Sequence, residues 1–194
     1  SLGELTAQTN VVVASGTNPS VTFTVNSGNL KAISGRVTLG GTGLSGVKIG
    51  ARGSSTTTGG NGTETDSNGS FRLLVPAGTY TVSGWSPDTG GLSEKSADVR
   101  SSNVTLSDWT LGGQGTLRIT IQNASNISPL FAGAFSTSTG RGNGTDSWTT
   151  SGTSKISDIK LAAGTYEINA GSPLSCEITS SCSTATITAG ETTN

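Results

Sequence analysis

The sequence contains no histidine and no methionine, and only 12% of its 194 residues are charged. Without histidine there is no imidazole to act as a general base or to hold a metal, so Ser-His-Asp triads and zinc sites are excluded by composition. Charge of either sign is scarce and balanced: 11 basic against 12 acidic residues leave a net charge of -1. No basic stripe is available to follow a phosphate backbone, which argues against nucleic acid as a partner. Long apolar runs are missing as well. The most apolar windows, Val11 to Ala14 and Leu130 to Phe135, are strand-length, far short of the roughly 18 residues of a membrane helix, so no transmembrane segment is expected. The chain opens at Ser1 with neither a methionine nor a basic-then-apolar leader, the expectation for a mature secreted protein or an excised segment.

What is abundant is glycine, at 29 residues, together with serine and threonine, about a third of the chain. The structural signals that emerge have a period of two. VTFTV (21–25), FRLLV (71–75), TYTV (79–82), LRITI (117–121) and TYEI (165–168) are each bounded by Gly, Asn, Ser or Pro, the pattern of short half-buried strands between turns. No amphipathic helix stands out. Many short strands with turn signals every ten residues or so predict an all-β sandwich architecture.

The chain also repeats itself. PAGTYTV (76–82) recurs as AAGTYEI (162–168), and Ser86-Pro87 recurs as Ser172-Pro173, both at an offset of 86. Carried toward the N-terminus, that offset lays Phe23 on Trp109 and Val25 on Leu111. The opening segment therefore reads as the end of a repeat. At the other end, SGTNPS (15–20) aligns with AGETTN (189–194), so the strand matching 21–25 would follow the last residue. The second repeat is expected to stop just short of its last strand, while the N-terminal tail carries a surplus copy.

ISGRV (33–37), GLSGVKI (43–49) and ETDSNGSFRLLVPAGTYTV (64–82) resemble the carboxypeptidase regulatory-like module, a prealbumin-like β-sandwich related to the B-type repeats of surface adhesins. The resemblance covers about 33–111 and weakens over 115–194, where GTLRITI, LFAGAF and AAGTY carry it. It implies a non-catalytic, seven-stranded unit of secreted proteins serving as spacer, adhesion or assembly module. Related surface domains form Lys–Asn isopeptide links; Lys48 is the lysine to inspect, and no partner stands out.

Individual residues then receive roles. Asp66-Ser67-Asn68-Gly69 is a hairpin turn leading to an inward set of Phe71, Leu73 and Val75; calcium at Asp66 and Asn68 is the weaker reading, because too few carboxylates accompany them. Tyr80 and Tyr166 are corner residues packed into the core. Trp109 is an inward residue of the last strand of the first repeat. Trp85 and Trp148 have no counterpart in the repeat, so they are lids over loops or exposed aromatic platforms for sugars. Ser45 and Lys48 have the letters of a Ser-x-x-Lys motif, but on a Gly-broken, β-like stretch that cannot place them one helical turn apart. Cys176 and Cys182 are expected to form a local disulfide. Six N-glycosylation sequons start at Asn61, Asn68, Asn103, Asn123, Asn126 and Asn143.

The expectation is therefore two tandem Ig-like or prealbumin-like β-sandwich domains, 30–112 and 113–194, the second lacking its last strand, behind a tail (1–29) with a donor-type strand at about 20–26. Val21, Phe23 and Val25 form the apolar face of that strand. Seven residues separate Val25 from Ile33, a reach of about 27 Å at most, so a neighbouring copy is the nearer acceptor. The function expected is a non-enzymatic structural subunit of an extracellular, pilus-like filament, its partners further copies of itself and its surface in contact with glycans or cells, with no cofactor or metal. The contrasting expectation is an adhesion, glycan-binding or spacer module of a larger surface protein or enzyme.

Overall fold

Turn formers recur too often for helices to propagate, and the strands they delimit are the only regular elements among the described residues. The computed structural model describes residues 20, 30–54, 60–171 and 183–194. The candidate donor strand (Val21, Phe23, Val25) and both cysteines, Cys176 and Cys182, lie outside the described residues.

Strands β1 (Leu30–Leu39), β2 (Thr42–Gly43), β3 (Lys48–Gly53), β4 (Gly60–Glu64), β5 (Ser70–Pro76), β6 (Thr79–Ser86), β7 (Gly90–Gly91), β8 (Lys95–Asp98), β9 (Val104–Thr105) and β10 (Trp109–Leu111) make two sheets. In one, β1 is central. Its first part is flanked by antiparallel β5 and parallel β9, its second by antiparallel β2 and parallel β10. The other runs β4-β3-β6, with β8 and β7 on successive stretches of β6. One apolar core fills the space between them, taking Ile33, Val37, Leu73, Val75 and Trp109 from the first sheet and Ile49, Tyr80 and Val82 from the second.

Strands β11 (Gln114–Ile121), β12 (Phe131–Ser136), β13 (Gly142–Thr145), β14 (Thr149–Ser151), β15 (Ser154–Ala162), β16 (Gly164–Gly171), β17 (Ser183–Ile187) and β18 (Thr192–Thr193) make two more, in the orders β14-β15-β11-β18 and β13-β12-β16-β17. A second core, with Leu117, Ala134, Ile159, Leu161, Tyr166 and Ile187, lies between these. No described strand ladder joins residues 30–111 to residues 114–193.

Local chemistry accounts for the recurring parts. Asp66 Oδ1 accepts the amides of Asn68 and Ser70 at 2.8 and 2.9 Å, the side-chain turn that lets the chain reverse into β5. Gly69 completes it at φ 76°, and a Cβ there would stand 2.1 Å from the Val37 carbonyl oxygen, so both conformation and space call for glycine. Phe71, Leu73 and Val75 then point inward. In the second half the chain enters β15 from β14 through a paired hairpin that turns at Gly152 and Thr153, with Gly152 at φ 60°, whereas β4 pairs with β3 and not with β5. The entry into β15 is therefore built differently from the entry into β5, and the TDxxGxF signature is missing there.

The AGTY corners are equivalent in detail. Tyr80 donates its hydroxyl proton to the Pro76 carbonyl at 3.0 Å, and Tyr166 donates to that of Ala162 at 2.9 Å. Each phenol lies over the turn four residues before it and pairs across the sheet with a small residue, Ala97 or Ala185. Burial pushes both phenol pKa values upward.

The two halves meet along β7, β13 and the strand ends beside them. Gln114 Nε2 donates to the Asp88 carbonyl at 2.8 Å, Asn143 Nδ2 to that of Pro87 at 3.0 Å, and Arg141 pairs with Glu94. Gly90 and Gly142 lie backbone to backbone, a Cβ on the former falling 2.6 Å from the carbonyl oxygen of the latter.

Candidate functional site

The internal repeat makes the two halves comparable strand by strand, and the comparison isolates one edge. Ile33 on β1 faces Leu73 on β5, and Leu117 on β11 faces Ile159 on β15; β11 is thus the counterpart of β1. On its other side β1 is covered twice, by β9 at Ile33–Ser34 and by β10 at Val37–Leu39. β11 is covered once, by β18 at Thr116–Leu117. No parallel strand lies beside Arg118 to Ile121 among the described residues.

The covered edge shows what such a strand supplies. β10 runs parallel to β1, with Trp109 opposite Val37. The indole is only 4% exposed. Its ring lies 5.9 Å from that of Phe71, its Nε1 donates to the Ser93 carbonyl at 2.8 Å, and Lys95 Nζ stands 4.8 Å from its centroid. This one residue closes the open end of the first core. In the second half, Ile119 and Ile121 point in the same sense as Leu117 but are only half-buried, and Arg118 and Asp158 form a bidentate pair on the opposite face, at 2.8 Å for each bond. That guanidinium holds the Asp158 carboxyl below its ordinary pKa, chiefly through the hydrogen bonds. Among the described residues, the stretch from Arg118 to Ile121 therefore has no strand paired along one edge and directs two half-buried isoleucines toward the core, the kind of edge that native sheets cover or blunt.

Other predicted residues fall elsewhere. Trp148 is half-buried and donates its indole proton to the Leu130 carbonyl at 2.9 Å, which ties it down over the β12 entrance. Trp85 is 42% exposed on the outer face of β6. Lys48, the isopeptide candidate, is exposed on β3, across from Glu64 and Trp85, neither of which offers the amide such a bond requires. Among the sequons, Asn61 and Asn143 already donate their amide nitrogens to the carbonyls of Leu74 and Pro87, and the Asn103 side chain accepts the Ala32 amide. Asn68, Asn123 and Asn126 are exposed in turns. Among the described residues no group of three or more potential metal-ligating side chains occurs, and no helix is long and apolar enough to cross a membrane.

Two exposed aromatics escaped the sequence reading. On β12, Ala132 and Ala134 face the core while Phe131 and Phe135 point outward, 47% and 44% exposed. The signal is present in FAGAF, where two phenylalanines share a face with Gly133 and oppose two alanines, but alternation alone does not say which face is inner.

The sequence matches no protein-family profile. No curated protein is significantly similar to it. Among solved structures, the chain is similar to the Bacillus anthracis TIE protein (15% identity, 84% of this chain and 33% of that one, TM-score 0.37). It is likewise similar to a streptococcal ancillary pilin (14%, 82% and 59%, 0.40) and to the full-length major pilin SpaD of Corynebacterium diphtheriae (11%, 76% and 62%, 0.39). The chain spans one third to about three fifths of the length of these proteins.

Proposed function

We propose that this chain is a structural subunit of an extracellular, pilus-like filament whose copies join head to tail by donor-strand complementation. The observation that supports the reading is the contrast between β1, covered by β10, and β11, which among the described residues has no parallel strand beside Arg118 to Ile121. The repeat offset that lays Phe23 on Trp109 names the occupant. In the assembled filament, Val21, Phe23 and Val25 of one copy enter beside β11 of the next, parallel to it, and Phe23 stands opposite Ile121 as Trp109 stands opposite Val37. Burial of the three side chains contributes roughly 5 to 8 kcal/mol before entropy, and the strand hydrogen bonds set register and direction. Because donor and acceptor are different surfaces, the contact does not close on itself and yields a linear polymer. No step in this assembly calls for a cofactor or a reactive side chain, and the protein acts by binding its own copies rather than by catalysis.

The test compares the full chain with Phe23→Asp and with a variant lacking residues 1–27, by light scattering after size exclusion and by negative-stain electron microscopy. Filaments from the full chain, and folded single subunits from both variants, are expected. A peptide spanning 18–27 should bind the truncated variant and protect the β11 amides from hydrogen exchange. Filaments that persist without the tail, or an intact chain that stays monomeric at high concentration, overturn the proposal in favour of an adhesion or spacer module.

A further inference from the structure

The outer face of the β4-β3-β6 sheet forms the floor of a groove that continues onto the second half of the chain. Residues alternate along β3, with Ile49 and Ala51 inward and Lys48, Gly50 and Arg52 outward. Across from Gly50 stand Gly62 on β4 and Ser83 on β6, so the middle of the face is a trough without large side chains. A Cβ built on Gly50 would meet nothing within 4 Å. Trp85 rises at one end of the trough, and Phe135 and Arg141 from the second half form the facing wall, enclosing about 430 Å³. That volume lies within the range of small-ligand sites.

The chemistry of the walls is specific. Trp85 and Phe135, 42% and 44% exposed, are among the few large apolar side chains left open to solvent, and neither belongs to the two buried cores. Lys48 and Arg141 line the groove with them, and Arg52 lies in an adjoining pocket that shares Gly50, Ser83 and Arg141 with it and also holds Glu94. Arg141 is paired with Glu94, whereas Lys48 and Arg52 make no hydrogen bond or ion pair among the described residues; Glu64, opposite Lys48 on β4, lies beyond ion-pair distance. Ser83 contributes a hydroxyl to the floor.

An open trough with aromatic faces, a hydroxyl and unspent cations matches a ligand whose rings present C–H edges to aromatic faces, hydroxyls to polar groups, and carboxylates to ammonium and guanidinium groups. We infer that this groove binds acidic glycans, with a uronate ring stacked on Trp85 and its carboxylate held by Lys48. Arg52 at the other end of β3 serves a second acidic ring. Charge complementarity selects this class over neutral sugars. A ring stacked against Trp85 is accommodated because Gly50 leaves the floor open. The inference does not depend on filament assembly, since the acceptor strand β11 is not part of the groove.

The test is isothermal titration of the full chain with trigalacturonate, trimannuronate and a hyaluronan tetrasaccharide, alongside neutral α-1,4-galactotriose. Tryptophan fluorescence is followed in parallel. At least one uronate probe should bind, quench fluorescence, and bind tenfold or more tightly than the neutral trisaccharide. Trp85→Ala should abolish both quenching and binding. Lys48→Met should bring the acidic probe down to the neutral level, and Gly50→Phe, which has room for its side chain, should block the trough without unfolding the sheet. Failure of every uronate probe, equal affinity for the neutral sugar, or undiminished binding by Trp85→Ala and Gly50→Phe overturns the inference. So does a change in self-association, rather than in sugar binding, when Trp85 is replaced, because the groove would then be a contact between copies.

Discussion

Replacing Trp109 by alanine tests both the closing role of the last strand and the independence of the two cores. The indole is 4% exposed, rests against Phe71, carries the Lys95 ammonium over its face and donates to Ser93. Truncating a buried tryptophan to alanine costs about 3 to 5 kcal/mol. The milder Trp109→Phe keeps most of the packing but strands the Ser93 carbonyl, at about 1 kcal/mol, and weakens the cation–π contact by about 0.5 kcal/mol or more. A loss of about 2 kcal/mol is expected once the smaller ring is included. In urea, with a slope of roughly 1.5 kcal/mol per molar for a unit of this size, Trp109→Ala should lower the midpoint of one unfolding transition by about 2 M or unfold that half outright. The second transition, identified by its response to Leu161→Ala in the other core, should not move. Circular dichroism follows both, since fluorescence would be altered by the substitution itself. A Trp109→Ala cost below about 1 kcal/mol would show that the parallel strand does not close the core; an equal shift of both transitions would show that the halves unfold as one. The first result would also remove the template on which Phe23 is placed beside β11.

Two further outcomes follow from the chemistry at and near the open edge. Asp158 has its pKa held below the ordinary carboxylate value by Arg118, so its stabilising contribution is present above the unfolded pKa of about 3.9 and is lost as pH falls through the folded value. Asp158→Asn should therefore flatten the decline in urea midpoint on going below about pH 4, and an unchanged acid profile would count against the pair. Cys176 and Cys182, with five residues between them, are proposed to be joined, a loop that adds about 2 to 3 kcal/mol at most. Unreduced protein should resist alkylation at both thiols, and uptake of two alkyl groups would refute the bond.

The all-β character, the 86-residue repeat and the two tyrosine corners could be read from the chain because their causes are local. Asp66 and Gly69 satisfy a turn within five residues, and Tyr80 and Tyr166 each reach a carbonyl four residues back. Alternation likewise marks Phe71, Leu73 and Val75 as one face of a strand whatever its neighbours are. The same alternation was silent about FAGAF, because period two divides a strand into faces without saying which is inner. Around Ala134 the core is already occupied by Leu117, Ile159, Leu161 and Tyr166, so the small residues go in and the phenylalanines go out. The repeat offset led to the expectation of a surplus strand in the N-terminal tail, but not to the edge that would receive it. The equivalent edge is identified by the pairing of β1 with β10, which are separated by about seventy residues and joined by a parallel ladder and by the packing of Trp109 into the core. Of the groove, only Trp85 stood out in the sequence, as an aromatic outside the repeat; its facing wall of Phe135 and Arg141 did not, since the groove arises where two separately packed halves meet and depends on how Arg141 with Glu94, and Asn143 with Pro87, hold them together.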